Sequence, residues 1–255
     1  MNHDSGTKPR PYAAWNPDTS ADDLRRLAAD PDDSLRRGVA ANATAPPDVL
    51  ARLASDSDES VRSAVARNTH ADARVHGILA SDPVESVRSA VAGNTHADAR
   101  VLGMLAGDTS HIVRFVLAGN PGAPLDVLAK LWRRRHWRLR TRLAANPSTP
   151  PELLDRTSRA YRYFPFEVII RGEVAANPAA PPRTLRRLGR SWCKSLRATV
   201  AGNPSTPPET LARLARDRVP LVRRIAATHP AIPAAALAAL ATDSDDFVRE
   251  TAANR

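Results

Sequence analysis

Cysteine, aromatic residues and long apolar runs are all scarce in this chain of 255 residues. A single cysteine, Cys193, excludes an intramolecular disulfide framework and a Cys-rich zinc or iron–sulfur site. Without any run of about 18 uncharged apolar residues, no membrane span is expected. The stretch from Met1 to Arg10 lacks the apolar segment of a signal peptide, so the expected location is the cytoplasm. Gly-rich phosphate loops, nucleophile motifs and metal-ligand spacings are missing too. We therefore assign no catalytic residue, no metal and no cofactor.

Apolar residues nonetheless make up 42% of the chain, enough for a core, and 25% are charged. The net charge of +10 is uneven. Residues 1–120 carry 13 Lys/Arg and 16 Asp/Glu, residues 121–224 carry 22 and 7, and residues 225–255 carry 2 and 4. A basic middle between acidic ends is where an anionic partner would dock.

A repeat organises the rest. Asn16, Asn42, Asn68, Asn94, Asn120 and Asn146 stand 26 residues apart; Asn177 follows after 31, Asn203 after 26, and His229 takes the next slot after another 26. Nine units cover residues 16–255, and residues 1–15 are expected to be a flexible N-terminal segment. Pro46 and Pro47, Pro150 and Pro151, and Pro207 and Pro208 suit the first turn of a helix. Leu50 and Leu53 share one face of that helix; Val61 and Val65 share one face of a second. An Asp fourteen residues after the Asn (Asp30, Asp56, Asp82, Asp108, Asp217, Asp243) ends the first helix and is suited to cap the second. Helices of about nine residues are unstable alone, so neighbouring units must complete the core. The expectation is an all-α solenoid forming one domain over 16–255, with an irregular unit at 146–176.

The pattern Asn-Pro-x-x-Pro, Leu-x-x-Leu-Ala-x-Asp, Val-Arg-x-x-Val-Ala resembles the leucine-rich repeat variant, a HEAT-like α-helical repeat family. That resemblance implies a right-handed superhelix of alternating α and 3₁₀ helices, used chiefly as a binding scaffold. The iron–sulfur segment that accompanies such repeats in some relatives does not carry over to a chain with only Cys193.

An Arg stands twenty residues after most of the asparagines (Arg36, Arg62, Arg88, Arg114, Arg140, Arg197, Arg223, Arg249), and Arg171 is its counterpart in the long unit. Six of these follow an Asp by six residues, as Arg62 follows Asp56. In HEAT-like repeats Asp and Arg at this spacing tie neighbouring units together, so the ladder reads as structural. By this count Arg140 loses its local partner, because Arg134 occupies the Asp position. The Asn positions also read as structural, each bonding the backbone of its turn, with His229 as a substitute turn residue.

Departures from the repeat carry the functional reading. Lys130, Trp132, Arg133, Arg134, Arg135, Trp137 and Arg138 crowd one inter-helix linker that contains no acid. Arg187, Arg190, Trp192 and Lys194 crowd the equivalent region two units later. Equivalent slots stack along one side of a solenoid, which predicts a basic, Trp-bearing stripe. A second cluster, Tyr161, Tyr163, Phe164 and Phe166 with Arg159 and Arg162, lies in the long unit. Arg with aromatics suits stacked bases and phosphates as well as a protein interface. The expected function is a non-catalytic scaffold for DNA, RNA or an acidic protein. The alternatives are a HEAT-like-repeat DNA glycosylase, which needs a carboxylate facing the groove, and a purely structural assembly scaffold.

Overall fold

The computed structural model describes residues 10–160 and 166–255, and all regular structure among them is helical. It divides into two compact units, Met1–Leu131 and Trp132–Arg255. In the first unit, α1 (Arg10–Trp15) is followed by α2 (Ala21–Leu27), α3 (Asp33–Ala41), α4 (Pro47–Leu53), α5 (Glu59–Arg67), α6 (Ala73–Leu79), α7 (Glu85–Gly93), α8 (Ala99–Leu105) and α9 (His111–Ala118). The division falls at the last residue of α10 (Leu125–Trp132). The second unit holds α11 (Trp137–Ala145), α12 (Pro151–Arg159), α13 (Phe166–Ala176), α14 (Pro182–Leu188), α15 (Lys194–Gly202), α16 (Pro208–Leu214), α17 (Pro220–Thr228), α18 (Ala234–Leu240) and α19 (Asp246–Ala253).

Each repeat is a short first helix and a longer second one. Second helices pack in a row: α1, α3, α5, α7 and α9 in the first unit, and α11, α13, α15, α17 and α19 in the second. Residues 10–15, placed by the sequence in a flexible segment, form α1, which packs on α3 as the second helices pack on one another. Ala14 is fully buried, and the Ala14 carbonyl accepts from the Asn42 amide. Both helices of each pair are α-helical; i→i+3 bonds fall at helix ends and in turns, as Val49 N–H to the Pro46 carbonyl at the start of α4 and Ser55 N–H to Arg52 and Asp56 N–H to Leu53 after its end. The long unit spends extra residues on its helices, since α12 has nine residues and α13 eleven, against seven and nine in α4 and α5. Tyr161, Arg162, Tyr163 and Phe164, with the Phe166 side chain, lie outside the described residues. No described helix is long and apolar enough to cross a membrane.

The Asn ladder is a hydrogen-bonding spine. Asn68 Nδ2 donates to the carbonyls of Ala40 and Asn42, both at 2.9 Å, and Asn68 Oδ1 accepts from His70 N–H at 2.8 Å. Asn42, Asn94, Asn120, Asn177 and Asn203 repeat the two backward bonds. All five are buried, so each bond is made away from water.

The Asp–Arg ladder runs in the other direction from the one expected. Arg62 donates to the carboxylate of Asp82, twenty residues ahead, at 2.7 and 3.2 Å, and reaches only the backbone carbonyl of Asp56. Arg36–Asp56, Arg88–Asp108, Arg197–Asp217 and Arg223–Asp243 are built alike. Nor do these aspartates cap the second helix. Asp56 Oδ1 accepts from Asp58 N–H and closes the turn, and Asp58 caps α5 by accepting from Ser60 and Val61 N–H. The arginine bonds hold the Asp56 carboxyl below its usual range.

Asn68→Ala strips the Ala40 carbonyl of its Asn68 bond, leaves the Asn42 carbonyl only its bond from Ala45 N–H and takes the acceptor from His70 N–H, each lost bond in this buried turn costing about 1–3 kcal/mol. Arg88→Ala, which breaks one half-buried rung, costs about 1–3 kcal/mol in total. Urea unfolding should therefore rank Asn68→Ala as the more destabilising change. His76 supplies a second test. It fills a core slot that is Leu in the other repeats, is fully buried, and lies 3.1 Å from Asn94 Nδ2 through Nε2. Burial, only partly offset by Asp72, pushes its pKa below 6.5. The unfolded chain takes up that proton first, so the stability held above about pH 6.5 is lost as pH falls toward the depressed folded value. His76→Leu should flatten this acid limb, by up to about 1.4 kcal/mol per pH unit.

Candidate anion-binding cleft

Two rungs of the Asp–Arg ladder are missing in the second unit, where Ala160 and Ser191 replace the Asp, and an open cleft stands at the first of them. Counting from Asn146, Ala160 occupies the slot where Arg140 would meet its carboxylate. Arg140 instead lays its guanidinium over the Trp132 ring, 4.5 Å from the ring centre. Arg156, from α12, lies over the same ring at 4.3 Å. Trp132 Nε1 donates to Thr157 Oγ1 at 2.8 Å, which fixes the indole in its half-buried position. Around this triplet opens a cleft of about 820 Å³ lined by Trp132, Arg133, Arg135, Arg140, Arg156, Arg159 and Ala160. Among the described residues, five arginines and no carboxylate line it.

The local backbone follows from another loss of aspartate, at Arg134. In the regular turns the Asp side chain accepts an N–H two residues ahead, as Asp30 accepts from Asp32 and Asp108 from Ser110. Arg134 has no acceptor to offer. The next residue, Arg135, adopts φ 50°, the one described non-glycine residue with positive φ. Such a left-handed residue is strained by about 1–2 kcal/mol. Where Ser191 replaces the Asp, its hydroxyl accepts from Cys193 N–H at 3.2 Å and the turn remains regular.

The residues singled out from sequence fall in several places. Arg133, Arg135 and Trp132 line the cleft; Arg134 is exposed in the same turn but outside the lining. Trp132 is a brace for two guanidiniums, which alters the stacking role expected of it. Arg138 lies over Trp137 at 5.3 Å, both on α11 and away from the cleft. Lys130 falls in the first unit, where Nζ donates to the Gly103 carbonyl at 3.4 Å. Arg190, Trp192 and Lys194 are exposed around the turn from α14 to α15, with Trp192 at 70%.

Arg187 is not among the lining residues. Its Nη2 donates to Ser158 Oγ at 2.6 Å and to Asp155 at 3.2 Å, so it braces α12 against α14. Desolvation, together with the like charge of Arg159, lowers its pKa. Asp155 is 7% exposed and also takes Thr184 Oγ1 at 2.6 Å, Arg159 and Arg183. That carboxylate is spent on the interior and does not line the cleft. Glu167 pairs with Arg171. Arg140, Arg156 and Arg159 were not assigned to the site from sequence, although the Ala at position 160 was the signal that Arg140 had lost its forward carboxylate.

Residues 196–219 and 220–245 match the family model described as Leucine rich repeat variant. The solved structure titled "A leucine-rich repeat variant with a novel repetitive protein structural motif" is similar at 23% identity, covering 89% of this chain and 87% of that one, with a TM-score of 0.58. The fold is thereby that of an α-helical repeat protein, an α-solenoid of the leucine-rich-variant kind. An engineered protein (15% identity, 96% and 92% covered, TM-score 0.36) and a designed armadillo repeat protein (13%, 96% and 95%, 0.20) superpose too loosely to add to this. No curated protein matches the chain.

The strain at Arg135 is testable. Arg135→Asn and Arg135→Gln both remove the charge, but Asn tolerates left-handed backbone. In thermal or urea unfolding the Asn variant should be the more stable, by up to about 1 kcal/mol.

Proposed function

We propose that this repeat protein is a non-catalytic binding scaffold whose second unit holds an anionic macromolecule through the arginine cleft and the exposed basic residues beside it. The observation that carries this reading is the cleft lining: five guanidiniums with no carboxylate among them. Like charges held side by side raise the local potential and attract anions. Guanidiniums suit both phosphate and carboxylate through paired donors. The glycosylase reading needs a carboxylate facing the groove, and the lining residues offer none. The general use of repeat surfaces in recognition supports a scaffold without identifying its ligand.

Arg133, Arg134 and Arg135 are exposed in the turn that follows α10, so charge changes there should leave folding intact. The triple Arg→Glu variant should lose at least tenfold in affinity at low salt for whichever of single-stranded DNA, RNA, duplex DNA or polyglutamate the parent binds. Anisotropy titrations with labelled probes measure this, and circular dichroism checks the fold. Full retention of affinity for every one of these probes would sink the reading.

A further inference from the structure

A second regularity runs through the same unit. Thirteen residues after the ladder Asn stand Arg133, Arg159, Arg190 and Arg216, one in each of four consecutive repeats. All four are exposed and lie at or just beyond the C-terminal ends of α10, α12, α14 and α16. A cation at a helix C-terminus is favourable in itself. The first unit shows that these helix ends do not require one, because its four equivalent residues are Ala29, Ser55, Ser81 and Gly107.

Compensating acids have also been withdrawn. The next residue, Asp in the regular repeats, is Arg134, Ala160, Ser191 and only then Asp217, whose carboxylate is held by Arg197. Among the described residues only Arg159 of the four has a carboxylate partner, Asp155 at 3.3 Å. Residues 161–165, Tyr-Arg-Tyr-Phe-Pro, contain no acid. Two members, Arg133 and Arg159, line the cleft, and Trp192 presents its largely exposed indole two residues beyond Arg190.

We infer that the occupant is a single-stranded nucleic acid whose phosphodiester backbone follows this arginine column, with an unpaired base stacked on Trp192. This rests on the anion-binding reading above and narrows it. Neighbouring helices in a repeat array pack about 8–10 Å apart, so the column offers one cation per repeat step along an extended track. Regularly spaced cations beside an exposed aromatic match a polymer with one charge and one flat base per unit. Trp132 cannot serve as the same kind of platform, since Arg140 and Arg156 already lie over its ring.

The test uses the full chain and 12-nucleotide labelled oligothymidylate and oligouridylate, titrated between 50 and 200 mM salt. A 12-base-pair duplex and a polyglutamate peptide of equal charge serve as competitors. Arg133→Gln, Arg190→Gln and Arg216→Gln should each flatten the slope of log K against log salt by about 0.7, and the triple variant by about 2. Trp192→Ala should weaken binding about tenfold or more with the slope unchanged. Arg74→Gln, exposed on α6 in the first unit, should change neither. Slopes unmoved by the triple variant, or duplex and polyglutamate binding as tightly as the single strands, would overturn the column while leaving an anion site standing. Failure of every anion to bind would remove the anion reading as well.

Discussion

Everything in this fold depends on a buried primary amide. An Asn side chain carries two donors and an acceptor on one planar group. Here both donor bonds go backward, to two carbonyls of the preceding repeat, while the oxygen closes its own turn. One residue thus fixes the turn and the register to its neighbour at once, and burial makes any missing partner costly. His229 tests the rule by substitution. Nε2 lies 2.9 Å from the Asn203 carbonyl and Nδ1 accepts from Ala231 N–H, so the neutral ring protonated at Nε2 satisfies both contacts. An imidazole has one donor where the amide has two, so the second backward bond of the Asn rungs is not available to it.

The Asp–Arg rungs are secondary to this spine, and their removal creates the chemistry. An intact rung is neutral and satisfied: Arg197 and Asp217 are both largely buried and bonded at 2.6 and 2.9 Å. Delete the Asp and an arginine becomes available to other partners, as Arg140 is to Trp132. The basic middle of the chain combines lost acids, at Arg134, Ala160 and Ser191, with added arginines.

The repeat length made the fold legible but hid the direction of the ladder. An Asp six residues before an Arg and one twenty residues after it are separated by one repeat of 26, so they belong to the same column. Spacing alone cannot tell Asp56 from Asp82 as the partner of Arg62; only the side-chain direction does. The same ambiguity obscured the site. Reading backward, the Arg134 substitution appeared to orphan Arg140, whereas reading forward the relevant change is Ala160. Arg187 looked like surface charge because its partner Asp155 lies 32 residues away, across the long unit where the 26-residue count fails. The column of Arg133, Arg159, Arg190 and Arg216 was present in the sequence throughout, visible once the residues are aligned on their asparagines.

A cleft of like charges beside a left-handed arginine is an unfavourable place to interrupt a repeat. The fold tolerates it because the spine is not interrupted there. Across the 31-residue step Asn177 still donates to the carbonyls of Ala144 and Asn146, at 2.8 and 2.9 Å, as its counterparts do across 26. The extra residues are absorbed into α12, α13 and their connection, on the far side of the turn that the amide governs. Repulsion and strain then remain local to the cleft, while neighbouring repeats keep their register. Under the proposed anion-binding reading, an anion entering the cleft would neutralise that repulsion, so part of the binding energy would be its relief and binding would stabilise the second unit by mass action. Trp132 sets the geometry of that relief. By fixing two guanidiniums on its ring before any ligand arrives, it spares them the ordering that flexible arginines would otherwise undergo on binding.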